Sequence, residues 1–349
     1  MRKRAALYPF DAELLPIARH FNRLQTEYHL VSLIAPLGYS NIGKDGGFTA
    51  NQPDIGFVVE EEDSFRSEQW EYLIVIKERM VEIDLKYIES VLSANKKVVF
   101  YISGNDSFLE EVKILQKQYQ KSLIIVENTV MSSDTSNEVE LINVPVILVG
   151  GLLKRADVTE VVFKLSEHLR AEGKQIDVYT NTVASSLFGF YSLLPLMEAD
   201  HNENSKTETI RTRICQNASE NYPDVIIIEA PDAVMKYSEV VPNDYGIRTY
   251  IISQAIAIDY FICCMPFELV QPKMIEGLSQ KMSCHLDCPI SAVHASNIIL
   301  DVSETLERKE IHIVHVPIDT VDEWLGTANF SIPCFNMVTE SMEKVIAQL

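Results

Sequence analysis

Long apolar runs are missing from this chain. Pro, Glu or Asp interrupts each hydrophobic stretch well short of the roughly 18 residues that a membrane-spanning helix needs. Positive charge is scarce too: Lys and Arg number 30 against 50 Asp and Glu, a formal charge of −20. Such a surface repels phosphate backbones and anionic lipid, so nucleic-acid and membrane-surface roles are not expected, and a basic partner suits the field better. Cysteine is sparse. The six residues all lie at or beyond Cys215, which is no disulfide framework for a chain this long, and reduced thiols are expected. Met1-Arg2-Lys3-Arg4 has the charge of a secretory signal, but Pro9 and Asp11 break the apolar region that should follow, and the reading is cytoplasmic. No G-x-S-x-G nucleophile elbow, short-period repeat or low-complexity tract occurs.

What is present is a globular composition, 47% hydrophobic and 23% charged over 349 residues, which is more chain than one core usually serves. Apolar runs at 5–9, 30–35, 72–76, 98–102 and 123–126 alternate with helical periodicity at 12–24, 83–94 and 106–119. Strands that are apolar throughout, with helices between them, indicate a parallel sheet covered on both faces. Residues 1–130 therefore read as a flavodoxin-like or Rossmann-like domain. Residues 131–143 open on a polar, turn-rich stretch and form the expected linker. A second alternation fills 144–349, with strands at 144–149, 176–179, 225–229, 260–264, 290–293 and 311–316 and helices at 157–171, 207–221, 267–282 and 340–347. The expected class is α/β: two domains with mainly parallel sheets, the first flavodoxin/Rossmann-like, the second a degenerate relative of P-loop NTPases.

The start of the second domain carries the sharpest local feature. A strand runs into Gly150-Gly151, then Lys154 and Arg155, then a helix from about residue 157, which is the layout of a phosphate-binding turn. A working P-loop is G-x-x-x-x-G-K-[ST]. Counted from Gly150 the last three positions are Arg155, Ala156 and Asp157; counted from Gly151 they are Ala156, Asp157 and Val158. The second glycine, the lysine and the hydroxyl are absent, and Asp157 puts a carboxylate where an anion should sit. Gly150, Gly151, Lys154 and Arg155 thus remain candidates for some other anion, within a turn expected to have lost nucleotide binding. The strand at 225–229 ends in Glu229, with Asp232 just beyond, like the acid that holds magnesium through water in such folds; both are catalytic candidates.

Three weaker features complete the survey. Gly38 to Lys44 nearly repeats the P-loop spacing, but Asp45 replaces the hydroxyl and Gly46-Gly47 cannot start the required helix; Gly43 and Lys44 are left as contacts of a binding loop. Cys284-His285-Leu286-Asp287-Cys288 suggests metal, yet structural zinc sites use paired clusters and only one pair exists here. Two cysteines four apart sharing a buried helix face explain it equally well. The acidic run at 60–63 is expected to be solvated surface.

Tyr8-Pro9-Phe10-Asp11, the loop from Pro36-Leu37-Gly38 through Gly43-Lys44-Asp45, and the run from Val144 through Gly150-Gly151-Leu152 together resemble the clostridial-type peptide-maturation-system proteins, over most of the chain. That family accompanies a radical-SAM enzyme, a carrier-like protein and a small Cys-rich precursor in cassettes for ribosomally made, modified peptides. The resemblance implies an accessory role that binds precursor, modifying enzyme or carrier-like partner, and it brings no catalytic residues with it. Two other functions stay open. One is a nucleotide-dependent (ATP/GTP) ligase or kinase-like enzyme with magnesium, using Lys154, Arg155, Glu229 and Asp232. The other is a metal- or thiol-dependent enzyme on Cys284, His285 and Cys288.

Overall fold

The computed structural model describes residues 2–25, 27–66, 68–78, 82–104, 106–128, 143–153, 156–238 and 245–346. Lys154, Arg155 and all but the last residue of the expected linker lie outside them. The chain forms two compact units, Met1–Met131 with Thr182–Pro195, and Ser132–Asn181 with Leu196–Leu349.

In the first unit, β1 (Lys3–Tyr8), β2 (Tyr28–Ala35), β3 (Val59–Glu61), β4 (Tyr72–Lys77), β5 (Lys97–Ser103) and β6 (Leu123–Asn128) form one sheet of order β3-β2-β1-β4-β5-β6, parallel at every pairing. This is the Rossmann order rather than the flavodoxin one, and it reverses between β1 and β4. The strands read clearly because they are buried on both faces; Tyr72–Lys77 has no exposed residue. Helix α1 (Leu15–Leu24) turns Leu15, Ile17, Ala18, Phe21 and Leu24 inward. Helices α2 (Leu85–Ser93) and α3 (Leu109–Tyr119) cover a core built on Ala6, Tyr8, Leu73, Val75, Val98 and Phe100. The segment Thr182–Pro195, with the two-residue strand β9 (Tyr191–Ser192), packs into this unit. Glu78 accepts from the Thr182 hydroxyl (2.8 Å) and the Val183 amide (3.2 Å), Asn128 donates to the Val183 carbonyl (2.6 Å), and Phe188 meets Phe21 edge-on.

The second unit is built on β7 (Val146–Gly151), α4 (Val158–Ala171), β8 (Ile176–Thr180), α5 (Leu194–Glu198), α6 (Glu203–Asn221), β10 (Val225–Glu229), α7 (Ile247–Ala255), β11 (Tyr260–Pro266), α8 (Pro272–His285), β12 (Ile290–Ser296), β13 (Ile298–Leu300), α9 (Val302–Arg308), β14 (Ile313–His315), α10 (Ile318–Thr327), β15 (Cys334–Phe335) and α11 (Met342–Ile346). Its sheet has the order β15-β12-β11-β7-β10-β8. Strand β7 is central, and β10 lies directly beside it in parallel register, Glu229 opposite Val149. That adjacency brings the end of β10 to the start of α4, where a phosphate turn would be built. Two expectations shift here. The helix expected from residue 267 starts with α8 at Pro272, a favoured first-turn residue. The late strand at 311–316 is the short β14, paired antiparallel with β13 outside the main sheet. Helices α7, α9 and α10 and strands β3 and β15 were not legible in the sequence pattern. Among the described residues, no helix is long and apolar enough to cross a membrane.

The C-terminal segment is tied down by one cation. Lys164 on α4 donates to the carbonyls of Met337, Val338 (3.3 Å) and Glu340 (2.8 Å). Lys164→Met should cost about 1–2 kcal/mol, since charged donors to backbone oxygen are worth more than neutral ones. Hydrogen exchange should locate the loss in residues 334–346.

Candidate functional site

The glycine pair does not form a turn. Gly150 and Gly151 are the last residues of β7, in register with Cys263 and Cys264 of β11. What the missing side chain permits at Gly150 is close packing: a Cβ there would stand 2.6 Å from Val234 Cγ1 and 3.0 Å from Ala230 Cβ. Beyond the strand, amides that a phosphate would need are already engaged. Leu152 N–H donates to the Cys264 carbonyl (3.1 Å) and Ala156 N–H to the Leu153 carbonyl (3.1 Å).

Asp157 occupies the N-cap position of α4 in the left-handed region, φ 58°, without capping the helix by its side chain. Its carboxylate instead accepts from Ser296 and from His294 Nε2 (3.3 Å). His294 is fully buried on β12, and its Nδ1 accepts the Met337 amide (3.0 Å). A ring nitrogen that accepts carries no proton, so Nε2–H is the donor to the carboxylate. Burial opposes charge on Asp157, but the His294 and Ser296 hydrogen bonds outweigh it and hold the carboxyl below its usual range. Asp, His and Ser meet here without making a nucleophilic triad. The serine hydroxyl donates to the carboxylate rather than to the imidazole, and neither ring nitrogen is left to take its proton.

Next to this network, Glu229 is 6% exposed and accepts from the Thr159 hydroxyl (2.7 Å) and the Asn181 amide (2.9 Å), while the Asn181 side chain returns a bond to the Glu229 carbonyl. The sequence reading missed Thr159. Had the spacing been counted from Leu152, Asp157 would have fallen on the second glycine, Val158 on the lysine and Thr159 on the hydroxyl. Thr159 and Glu229 supply a hydroxyl and a carboxylate, the two groups that hold magnesium in P-loop proteins, where the acid is an aspartate. Here they are bonded to each other, and a charged carboxylate stands at the helix N-terminus in place of phosphate. Among the described residues this arrangement does not fit a magnesium triphosphate. Asp232 has a different role. Its carboxylate accepts from the Arg248 and Thr249 amides (3.3 and 3.0 Å) and the Thr249 hydroxyl (2.6 Å), which caps the first turn of α7.

The other candidates stay apart. Lys44 lies 3.8 Å from the Phe48 ring centre, and the Asp45 carboxylate gathers the amides of Gly47, Ile55 and Gly56, so that loop is organised by its own acid. Gly43 bonds Val59 through its amide. Helix α8 ends at His285, so Cys284 and Cys288 do not share a helix face as expected. Cys284 is exposed, His285 stacks on Tyr250, and Cys288 is buried with its thiol pushed up to about 11 by burial and the nearby Asp259 and Asp287. Among the described residues, no three His, Cys, Asp or Glu are grouped to hold a metal. The first unit lacks a Gly-rich dinucleotide turn after β1. Tyr8 and Phe10, both fully buried, fill that position, and Asp11 caps the following turn.

The fold defines a two-unit α/β protein with mainly parallel sheets. No protein-family model and no curated protein matches the sequence. Among solved structures, the chain is similar to a DUF1611 family protein from Anabaena variabilis ATCC 29413, with TM-score 0.60 and 12% identity over 99% of each chain. At that identity the likeness concerns the fold.

Proposed function

We propose that this chain is a cytoplasmic accessory protein in the maturation of a ribosomally synthesised, post-translationally modified peptide, which binds the precursor, the radical-SAM modifying enzyme or a carrier-like partner and turns over no nucleotide. One observation carries the non-catalytic half of this reading: the ionised Asp157, locked by His294 and Ser296 at the N-terminus of α4, repels the phosphate that this position holds in P-loop proteins. The pathway half rests on the sequence resemblance over the Tyr8, Gly38–Asp45 and Val144–Leu152 regions. The strongly acidic surface suits a basic partner.

The competing reading, a magnesium- and nucleotide-dependent ligase or kinase-like enzyme, has the Thr159–Glu229 pair in its favour and the buried Asp157 charge against it. Titration calorimetry with ATP or GTP and magnesium should give no binding tighter than about 1 mM, a free energy of roughly −4 kcal/mol. Micromolar binding with turnover would overturn the accessory reading. Co-expression with the modifying enzyme and precursor should return a complex on purification, and absence of every such partner would remove the pathway assignment.

A further inference from the structure

The acidic run at 60–63 is not all solvated surface. Glu62, the first residue of a short 3-10 segment after β3, is 7% exposed and accepts the Tyr8 hydroxyl through Oε1 at 2.7 Å. Tyr8 is the last residue of β1, and its hydroxyl oxygen also accepts the Asp84 amide (3.4 Å), so this contact stands at the carboxyl edge of the first sheet, beside the β1/β4 reversal where open α/β sheets take their ligands. Tyr87, on the first turn of α2, packs its ring 4.8 Å from that of Tyr8. Its residue is 5% exposed, yet its hydroxyl has no hydrogen-bond partner among the described residues. A buried hydroxyl left without a partner is costly, and it calls for a polar group that arrives from outside. Phe65 forms a further wall, edge-on to Tyr87, with Arg66 already 5.6 Å from its ring centre.

We propose that Glu62, Tyr8 and Tyr87 form a binding site for a primary alkylammonium group, the head of a lysine side chain or of a free amine. An ammonium carries three donors around a compact charge, which suits the second Glu62 oxygen, the Tyr87 hydroxyl oxygen and the adjacent ring faces. A guanidinium would need two coplanar acceptors for its fork. A divalent cation would need further ligands, and among the described residues no three acids, histidines or cysteines are so grouped. An anion is repelled by Glu62, with Glu60, Asp63 and Asp84 adding the same sign. The electrostatics agree with the geometry. Burial, with the charge of Asp84 adding and the Tyr8 bond opposing, holds the Glu62 carboxyl above its usual range, and burial with the charges of Tyr8, Glu62, Glu60 and Asp63 raises the Tyr87 hydroxyl. A cation relieves both. The site is independent of the accessory role and of the second unit.

The test is NMR titration of the full chain with n-pentylammonium, with Nα-acetyl-lysine amide, and with pentan-1-ol as the neutral control. The two ammonium probes should shift the Tyr8 and Tyr87 ring signals saturably while pentanol does not. Equal affinity for the two would indicate a free-amine site, and a preference for the lysine amide a peptide-borne lysine. Glu62→Gln, which keeps an acceptor for Tyr8, should weaken binding about tenfold or more, because the charge is lost. Tyr87→Phe should weaken it severalfold. Pentanol binding as well as the ammonium probes, no saturable shift with either, or indifference to Glu62→Gln with an unchanged melting temperature would each overturn the assignment.

Discussion

His294→Ala should lower the unfolding free energy of the second unit by about 3–4 kcal/mol. The change removes a hydrogen bond to a buried carboxylate and the acceptor of the Met337 amide, and it leaves a cavity behind. Thermal or denaturant unfolding measures it. The effect should be strongly non-additive with Asp157→Asn: once the carboxylate is neutral, loss of the imidazole costs less, and the cycle should show a coupling of about 1–3 kcal/mol. The pH dependence has a definite sign. The Asp157 carboxyl is held below its ordinary range in the folded chain, so its contribution is complete above the unfolded carboxylate range and disappears as the pH falls through the folded value. Asp157→Asn should flatten that acid limb. A wild-type unfolding curve whose acid limb matches that of Asp157→Asn would show that the carboxylate gains nothing from His294 and Ser296.

Glu229→Ala comes next in size, at about 2–4 kcal/mol, because the Thr159 hydroxyl and the Asn181 amide both lose their acceptor in a nearly closed position. Glu229→Gln retains one amide oxygen and should lose roughly half as much. The pair also separates the two functional readings. An accessory protein should capture its partner equally well with Glu229→Gln at a temperature where the variant is folded. Loss of a measurable turnover in that variant, with melting behaviour preserved, would favour the enzyme.

The central strands were legible because a strand buried on both faces is a continuous apolar run, as at Tyr72–Lys77 and Val225–Glu229. Helix α4 was legible from the spacing of Val158, Val161, Val162, Leu165 and Leu169. The glycine pair was not. An apolar run ending in Gly150-Gly151 looks the same whether the chain turns there or continues as ladder, and only Val234 and Ala230, some 80 residues on, show why no side chain fits. Glu62 failed for a similar reason. Three acidic neighbours suggest solvent, and the tyrosine that draws it inward lies 54 residues away. Strand β3 and helix α7 were missed because each is short, and the helix shows little amphipathic pattern.

Alone, the chain's pattern of apolar runs settled the α/β class and the preference for parallel strands, since burial on two faces leaves a local mark in the sequence. The absence of the phosphate-loop lysine and hydroxyl after Gly150-Gly151 was visible too. What Asp157 does at the start of α4 was decided only in three dimensions, where β12 brings His294 and Ser296 to its carboxylate, because hydrogen-bond partners more than 130 residues apart leave no trace in local composition.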